Sequence, residues 1–279
     1  MSEQSNISNK HSFSLIDTHC HLDFSEFDKD RKEVIALCSN NNVQHIVVPS
    51  VSQQRFKRTI NLCADYSNLH LALGLHPMFI EQHQPHHLLD LDTQIKKNGE
   101  HVVAVGEIGL DFYIKGSADR AADRAHLDQE KQVVFFTKQL IIAKQHRLPV
   151  IIHNRKAHDL CIKLLDEHKI TGGIIHAFNG SLQQAYKYHE LGFKLGFGGM
   201  LTFKRSNKLR KLAEKLPLEC IVLETDAPDM TVAQHRGQRN SPAYLPFILE
   251  SLAEIRAEKI ETIAQQTSMN ARNVLKIGC

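Results

Sequence analysis

Leu15-Ile-Asp-Thr-His-Cys-His21 decides how this chain is read: a short apolar run breaks off into two histidines spaced by one residue. The same form returns along the sequence in His45-Ile-Val-Val48, Leu71-Ala-Leu-Gly-Leu75, Val102-Val-Ala-Val105, Pro149-Val-Ile-Ile-His153, Gly173-Ile-Ile-His176, Phe193-Lys-Leu-Gly-Phe197 and Cys220-Ile-Val-Leu-Glu224. Such runs suit strands buried on both faces, as parallel strands are. Helix-length amphipathic segments separate them, and residues 129–146 and 182–191 carry the 3.6-residue apolar period. Strand and helix therefore alternate, and eight such units predict a single (β/α)8 barrel; an open doubly wound sheet shares the local pattern. The length of 279 residues sits close to the roughly 250 typical of such barrels.

No linker or change of composition divides the chain, so residues 15–279 are expected to form one barrel domain, with 1–14 a disordered extension and 241–277 two closing helices. With 42% hydrophobic and 23% charged residues the composition is that of a folded globular protein. A net charge of +3 is too small to mark a dedicated nucleic-acid-binding domain. The six cysteines are scattered and never form Cys-x-x-Cys, which argues against zinc ribbons and disulfide frameworks. No segment approaches the ~20 apolar residues of a membrane span and the polar N-terminus has no signal-peptide core, so a cytoplasmic protein without membrane association is expected.

Eighteen histidines make roughly one His-x-His pair expected by chance, so the His19/His21 pair matters through its position. It closes the first predicted strand, where residues two apart face the same way and two imidazoles can reach one ion. Glu107, His153, His176 and Asp226 likewise follow predicted strands. Taken singly, each has an ordinary alternative: a turn histidine, a carboxylate paired with arginine, or, for Asp226, a helix N-cap before Pro228. Together they put metal-ligand types after five of eight strands, on the face where barrel enzymes carry their chemistry.

Asp17-Thr-His-Cys-His-Leu22, Gly74-Leu-His-Pro77, Gly106-Glu-Ile-Gly-Leu-Asp111, Ile151-Ile-His-Asn-Arg155, His176-Ala-Phe-Asn-Gly-Ser181, Leu223-Glu-Thr-Asp-Ala-Pro228 and Arg239-Asn-Ser-Pro242 resemble the ordered motifs of the TatD family of metal-dependent deoxyribonucleases, and the details are most similar to its YjjV branch. The resemblance implies an amidohydrolase-like barrel that hydrolyses phosphodiester bonds. It also implies one ion held by His19, His21, Glu107 and Asp226, with Glu107 bridging to a second ion completed by His153 and His176, and His76 near the scissile phosphate. Asn154, Ala177 and Asn179 depart from the family's usual residues without touching the ligand set.

Imidazoles suit zinc, whereas carboxylates admit magnesium or manganese, so one or two divalent ions (Mg, Mn or Zn) are expected. Asp226 and Glu107 are the expected catalytic carboxylates, Asp226 orienting or deprotonating the attacking water. Arg155, Lys204, Arg205, Arg236 and Arg239 follow predicted strands, where they can meet substrate phosphates, and Phe112, Phe178 and Phe203 can stack on bases. The expected partner is nucleic acid as substrate, with no obligate protein partner. A carbonyl-directed hydrolase such as an aminoacyl-tRNA deacylase, a small-molecule phosphoesterase and a non-enzymatic metal-binding barrel are the alternatives.

Overall fold

A computed structural model describes residues 13–113 and 121–277. Eight strands pair in parallel in strict chain order: β1 (Leu15–Asp17), β2 (Val43–Pro49), β3 (Leu69–Leu73), β4 (Val102–Asp111), β5 (Val150–Arg155), β6 (Gly173–Ile175), β7 (Phe193–Phe197) and β8 (Ile221–Leu223). Between them run α1 (Arg31–Asn40), α2 (Phe56–Asp65), α3 (Pro85–Asn98), α4 (Ala121–His146), α5 (His158–Glu167), α6 (Leu182–Glu190) and α7 (Asn207–Lys215). After β8 come α8 (Leu245–Arg256) and α9 (Ile260–Leu275), the two closing helices expected from the sequence. The sheet is a near-closed barrel rather than the open alternative. No helix among the described residues is long and apolar enough to cross a membrane.

Each strand buries both faces, which is why the apolar runs show no polar alternation. Ile16, Val47, Ala72, Ala104, Ile151, Ile174 and Val222 meet in the barrel interior, one from each strand except β7. Ala271, Leu275 and Ile277 pack onto that interior layer, so α9 and the turn after it stopper the barrel. The larger layer outside, between sheet and helices, holds Phe27, Phe136, Phe193 and Tyr188.

Between β8 and β1 the seam is stitched by single bonds instead of a ladder. Thr18 donates to the Leu223 carbonyl through both its N–H (3.1 Å) and its hydroxyl (3.0 Å). The Asp17 carboxylate accepts from the Thr225 N–H at 2.9 Å and hydroxyl at 2.5 Å, and from the His19 N–H at 3.1 Å. Asn270 of α9 donates to the carbonyls of Leu218 (2.8 Å) and Ile221 (2.7 Å), tying the stopper to β8. Residues 1–12 of the expected N-terminal extension lie outside the described residues; the Ser14 carbonyl accepts from the Ser268 hydroxyl at 2.8 Å.

His45 on β2 and His70 on β3 share one hydrogen bond, Nδ1 to Nε2 at 2.9 Å, which requires one ring to donate and the other to accept. Burial pushes both below the ordinary histidine value, His70 to about 4, and Arg272 adds to the effect. A histidine depressed on folding takes up fewer protons than it does unfolded, so its contribution to stability is intact above about pH 6.5 and is lost as pH falls from there toward 4. His70→Gln is therefore expected to lose less thermal stability than wild type between pH 7.5 and 5.0 in chelator. Equal losses in the two proteins would show that this pair does not carry the acid sensitivity.

Candidate metal centre

Past Asp17 the chain stays extended because both neighbours hold it: Cys20 N–H donates to the Val47 carbonyl (3.0 Å) and His21 N–H to the Ala227 carbonyl (2.8 Å). His19 and His21 thus lie just beyond β1, and they keep its alternation. Cys20 is fully buried against Ala227, and the two histidine Nε2 atoms stand 3.3 Å apart. Across the seam Asp226 N–H donates to the His19 carbonyl at 2.8 Å, which brings the Asp226 carboxylate to the same point. Its backbone is left-handed (φ 57°) and its side chain faces histidines, so the N-cap alternative falls away.

Glu107 lies at the middle of the cluster. It sits within β4 instead of past its end, because β4 takes three steps, Val105 to Ile108, where β5 takes two, Val150 to Ile152. The bulge re-aims the strand and lets pairing resume up to Asp111. Glu107 Oε2 is 3.0 Å from His19 Nε2 and 3.4 Å from His21 Nε2; Oε1 is 3.0 Å from His76 Nε2, 3.1 Å from His153 Nδ1 and 4.0 Å from His176 Nε2. Asp226 Oδ1 is 3.8 and 3.6 Å from the His19 and His21 Nε2 atoms, and Oδ2 is 3.6 Å from His176 Nε2.

These separations fit a cation. Four donors around one ion at ~2.0–2.1 Å in tetrahedral geometry stand roughly 3.3–3.4 Å from one another. His19 and His21 stand 3.3 Å from each other, 3.0 and 3.4 Å from Glu107 Oε2, and 3.8 and 3.6 Å from Asp226 Oδ1. The two facing imidazole nitrogens share one acceptor at hydrogen-bond range, Glu107 Oε2, and a shared ion satisfies all three. Two oxygens of one carboxylate facing separate histidine groups is the arrangement of a bridged pair of ions.

Outer hydrogen bonds sort the histidines. His21 Nδ1 lies 3.3 Å from the Pro49 carbonyl, His153 Nε2 3.0 Å from Asp111 Oδ2, and His176 Nδ1 makes a close but bent 3.0 Å contact with Glu224 Oε1. Each outer group is an acceptor, so the proton sits on the outer nitrogen and the inner one keeps its lone pair for a metal. His76 is the reverse: its Nδ1 accepts from the Met78 N–H at 3.1 Å, so Nε2 carries the proton and donates to Glu107. His76, Glu107 and His153 are close enough to hold an ion, yet this tautomer makes His76 a hydrogen-bond donor.

Burial works against the Glu107 charge, but His76 and His19, with hydrogen bonds from His153 and His19, outweigh it and hold the carboxyl well below the usual range. Burial likewise opposes the Asp226 charge; His176, His19 and His21 prevail and hold it at about 2. Burial lowers His76 to about 4, while for His153 it is overcome by Asp111 and Glu107, which push that ring up to about 9. The centre sets two anions among histidines of which His21, His153 and His176 are pushed towards the charged form, while burial holds His19 and His76 neutral; a divalent ion displaces protons from the charged ones.

Asp111 and Glu224, which touch His153 and His176 from behind, are side chains of the candidate site that the sequence reading missed. Asp111 follows Glu107 by four residues and Glu224 precedes Asp226 by two, so the period-2 alternation through two of the quoted motifs was the available signal.

Above the cluster opens a cavity of about 740 Å³ walled by Phe24, Met78 and Phe79 on one side and Phe178, Phe197, Met200 and Leu212 on the other. Arg155, Arg205 and Lys208 reach it, Arg155 stacked 3.6 Å over the Tyr113 ring. The first turn of α7 also lines it, and Ser206 at its N-cap leaves the helix uncapped by any side chain. Arg236 and Lys204 are exposed and outside the lining, and Phe203 and Phe112, both half-buried, are outside it too. Arg239 is bound to Asp30 at 2.9 and 2.6 Å and lies over Phe27, a structural clamp on the loop before α1.

A near-closed parallel (β/α)8 barrel with a His/Glu/Asp cluster at the C-terminal mouth defines a barrel metal-dependent hydrolase. Comparison with known proteins gives the particular family: residues 16–276 match the family described as TatD related DNase, and the chain belongs to it. It is 38% identical to the uncharacterized metal-dependent hydrolase YjjV of Escherichia coli (strain K12), over 94% of this chain and 98% of that one. It is 34% identical to YabD of Bacillus subtilis (strain 168), also an uncharacterized metal-dependent hydrolase, over 95% and 100%. The crystal structure of the YjjV TatD homolog from Escherichia coli superposes with a TM-score of 0.87 at 37% identity, covering 94% of this chain and 98% of that one.

Proposed function

We propose that this hydrolase cleaves phosphodiester bonds in nucleic acid as a TatD-type deoxyribonuclease, acting on the ends of single-stranded DNA and possessing the same chemistry for RNA. The carrying observation is the Glu107 carboxylate, whose two oxygens face two separate histidine groups at the floor of a cavity with a cationic rim. His19, His21, Glu107 and Asp226 hold one ion in this reading, and Glu107, His153 and His176 a second. Bound there, a divalent pair supplies a water of lowered pKa and neutralises phosphoryl charge.

The chain's own groups do the rest. Asp226, held at about 2, is ionised throughout the neutral range and accepts a hydrogen bond from the attacking water, fixing its approach. As so weak a base it takes the proton only from a water already made acidic. His76 is neutral near pH 7 and turns its Nε2–H from Glu107 to a phosphoryl oxygen. Arg155, Arg205, Lys208 and the free N–H groups starting α7 attract the flanking phosphates, a field that a neutral acyl ester would not use. The same rim favours a phosphate-bearing substrate over a neutral ester.

The test is turnover of end-labelled single-stranded DNA with Mn²⁺ or Mg²⁺, beside p-nitrophenyl phosphate and a p-nitrophenyl acyl ester, with Glu107→Ala as control. Stepwise shortening of the DNA that Glu107→Ala abolishes is expected. Turnover of the acyl ester alone would transfer the site to carbonyl chemistry, and of the monoester alone to a small-molecule phosphatase.

A further inference from the structure

The two halves of the centre differ in what stands behind their rings. Around His19 and His21 stand two carboxylates, Glu107 and Asp226. Among the described residues no carboxylate touches the outer nitrogens of these rings: His21 Nδ1 rests on the Pro49 carbonyl and His19 Nδ1 is buried without a hydrogen bond. In front of His153 stands only Glu107 Oε1, at 3.1 Å, and in front of His176 stand Asp226 Oδ2 at 3.6 Å and Glu107 Oε1 at 4.0 Å; each ring also has a carboxylate behind it. Asp111 is 3.0 Å from His153 Nε2 and Glu224 3.0 Å from His176 Nδ1.

Both outer carboxylates are held firmly by other groups. Asp111 Oδ1 accepts from the Tyr113 N–H at 2.9 Å, while the Asp111 N–H and carbonyl are bracketed by the Gln132 side-chain amide at 2.8 and 3.0 Å. Glu224 is fully buried; its Oε1 accepts from the Ala177 N–H at 2.6 Å, and its Oε2 has no partner. The space it fills exists because residue 196 is glycine: a Cβ there would stand 2.2 Å from Glu224 Oε2. A buried carboxylate placed at such steric expense, with one oxygen unpaired, is costly unless its charge is used.

We propose that Asp111 and Glu224 are positioning residues that supply negative charge from behind His153 and His176, where His19 and His21 have no carboxylate in contact, so that the second ion, and not the first, depends on them. A carboxylate on the outer N–H fixes the tautomer and makes the inner nitrogen more basic, and losing such a partner costs typically 10–100-fold in metal affinity. This inference rests on the two-ion reading above.

The test is Mn²⁺ titration calorimetry on wild type, Asp111→Asn, Glu224→Gln and, as the mirror, His21→Ala, with thermal unfolding to check folding. Asn and Gln keep an acceptor oxygen and the shape while removing the charge. Wild type is expected to bind two ions. Asp111→Asn and Glu224→Gln are expected to weaken one of them about 10–100-fold and leave the other within about threefold; His21→Ala weakens the other one. Unchanged binding in both isosteric variants, or equal weakening of both ions, overturns the proposal while the two-ion reading stands. Absence of Mn²⁺ binding by wild type would overturn that reading itself.

Discussion

Glu107→Ala is expected to strip the centre of both ions and to lower phosphodiester turnover on the order of 10³-fold or more, the scale of losing several kcal/mol of charge stabilisation. Glu107 makes the shortest contacts to both groups, standing 3.0–3.4 Å from His19, His21, His76 and His153. Its removal also takes away the charge that supports cationic histidines, so those rings discharge into neutral forms while the barrel core, which lies below them, is untouched. Elemental analysis should find less than one ion per chain, with circular dichroism close to wild type. A variant that keeps one ion and near-normal turnover would show that the two groups do not share a bridge.

Asp226→Asn is the second large effect, about 100-fold in turnover with little change in substrate affinity, as expected for a lost proton acceptor. The residue sits at φ 57°, a conformation that asparagine tolerates, so the exchange removes charge without adding backbone strain. Asn keeps one oxygen toward His19 and His21 and loses the anion that faces the cavity. Metal content decides between the two ways it can fail: turnover near wild type with both ions retained would leave Asp226 a scaffold residue, and loss of an ion would make it chiefly a ligand.

The barrel was legible because buried parallel strands leave uninterrupted apolar runs, and all eight quoted runs overlap observed strands. His19, His21, His153, His176 and Asp226 could be picked out since each follows such a run, and the structure gathers them around Glu107. Glu107 itself seemed to terminate a strand, for nothing in Val102-Val-Ala-Val-Gly106 announces a bulge after which pairing resumes. Asp111 and Glu224 were passed over because an outer carboxylate is defined by the ring it touches, and that ring comes from another strand. Position after a strand also could not separate Arg155 and Arg205, which reach the cavity, from Arg236 and Lys204, which do not. Loop length and direction decide that, and neither is encoded in residue type.

The stitched seam between the first and last strands has a consequence for the life of the chain. His19 and His21 leave the ribosome early and Asp226 late, and they meet only when Thr18 finds the Leu223 carbonyl and Asp226 N–H finds that of His19. A nascent or truncated chain holds at most part of either ion's coordination sphere. The fold thus acts as an interlock: a centre whose ligands come from both sides of the seam stays unassembled until β8 has followed β1 into place.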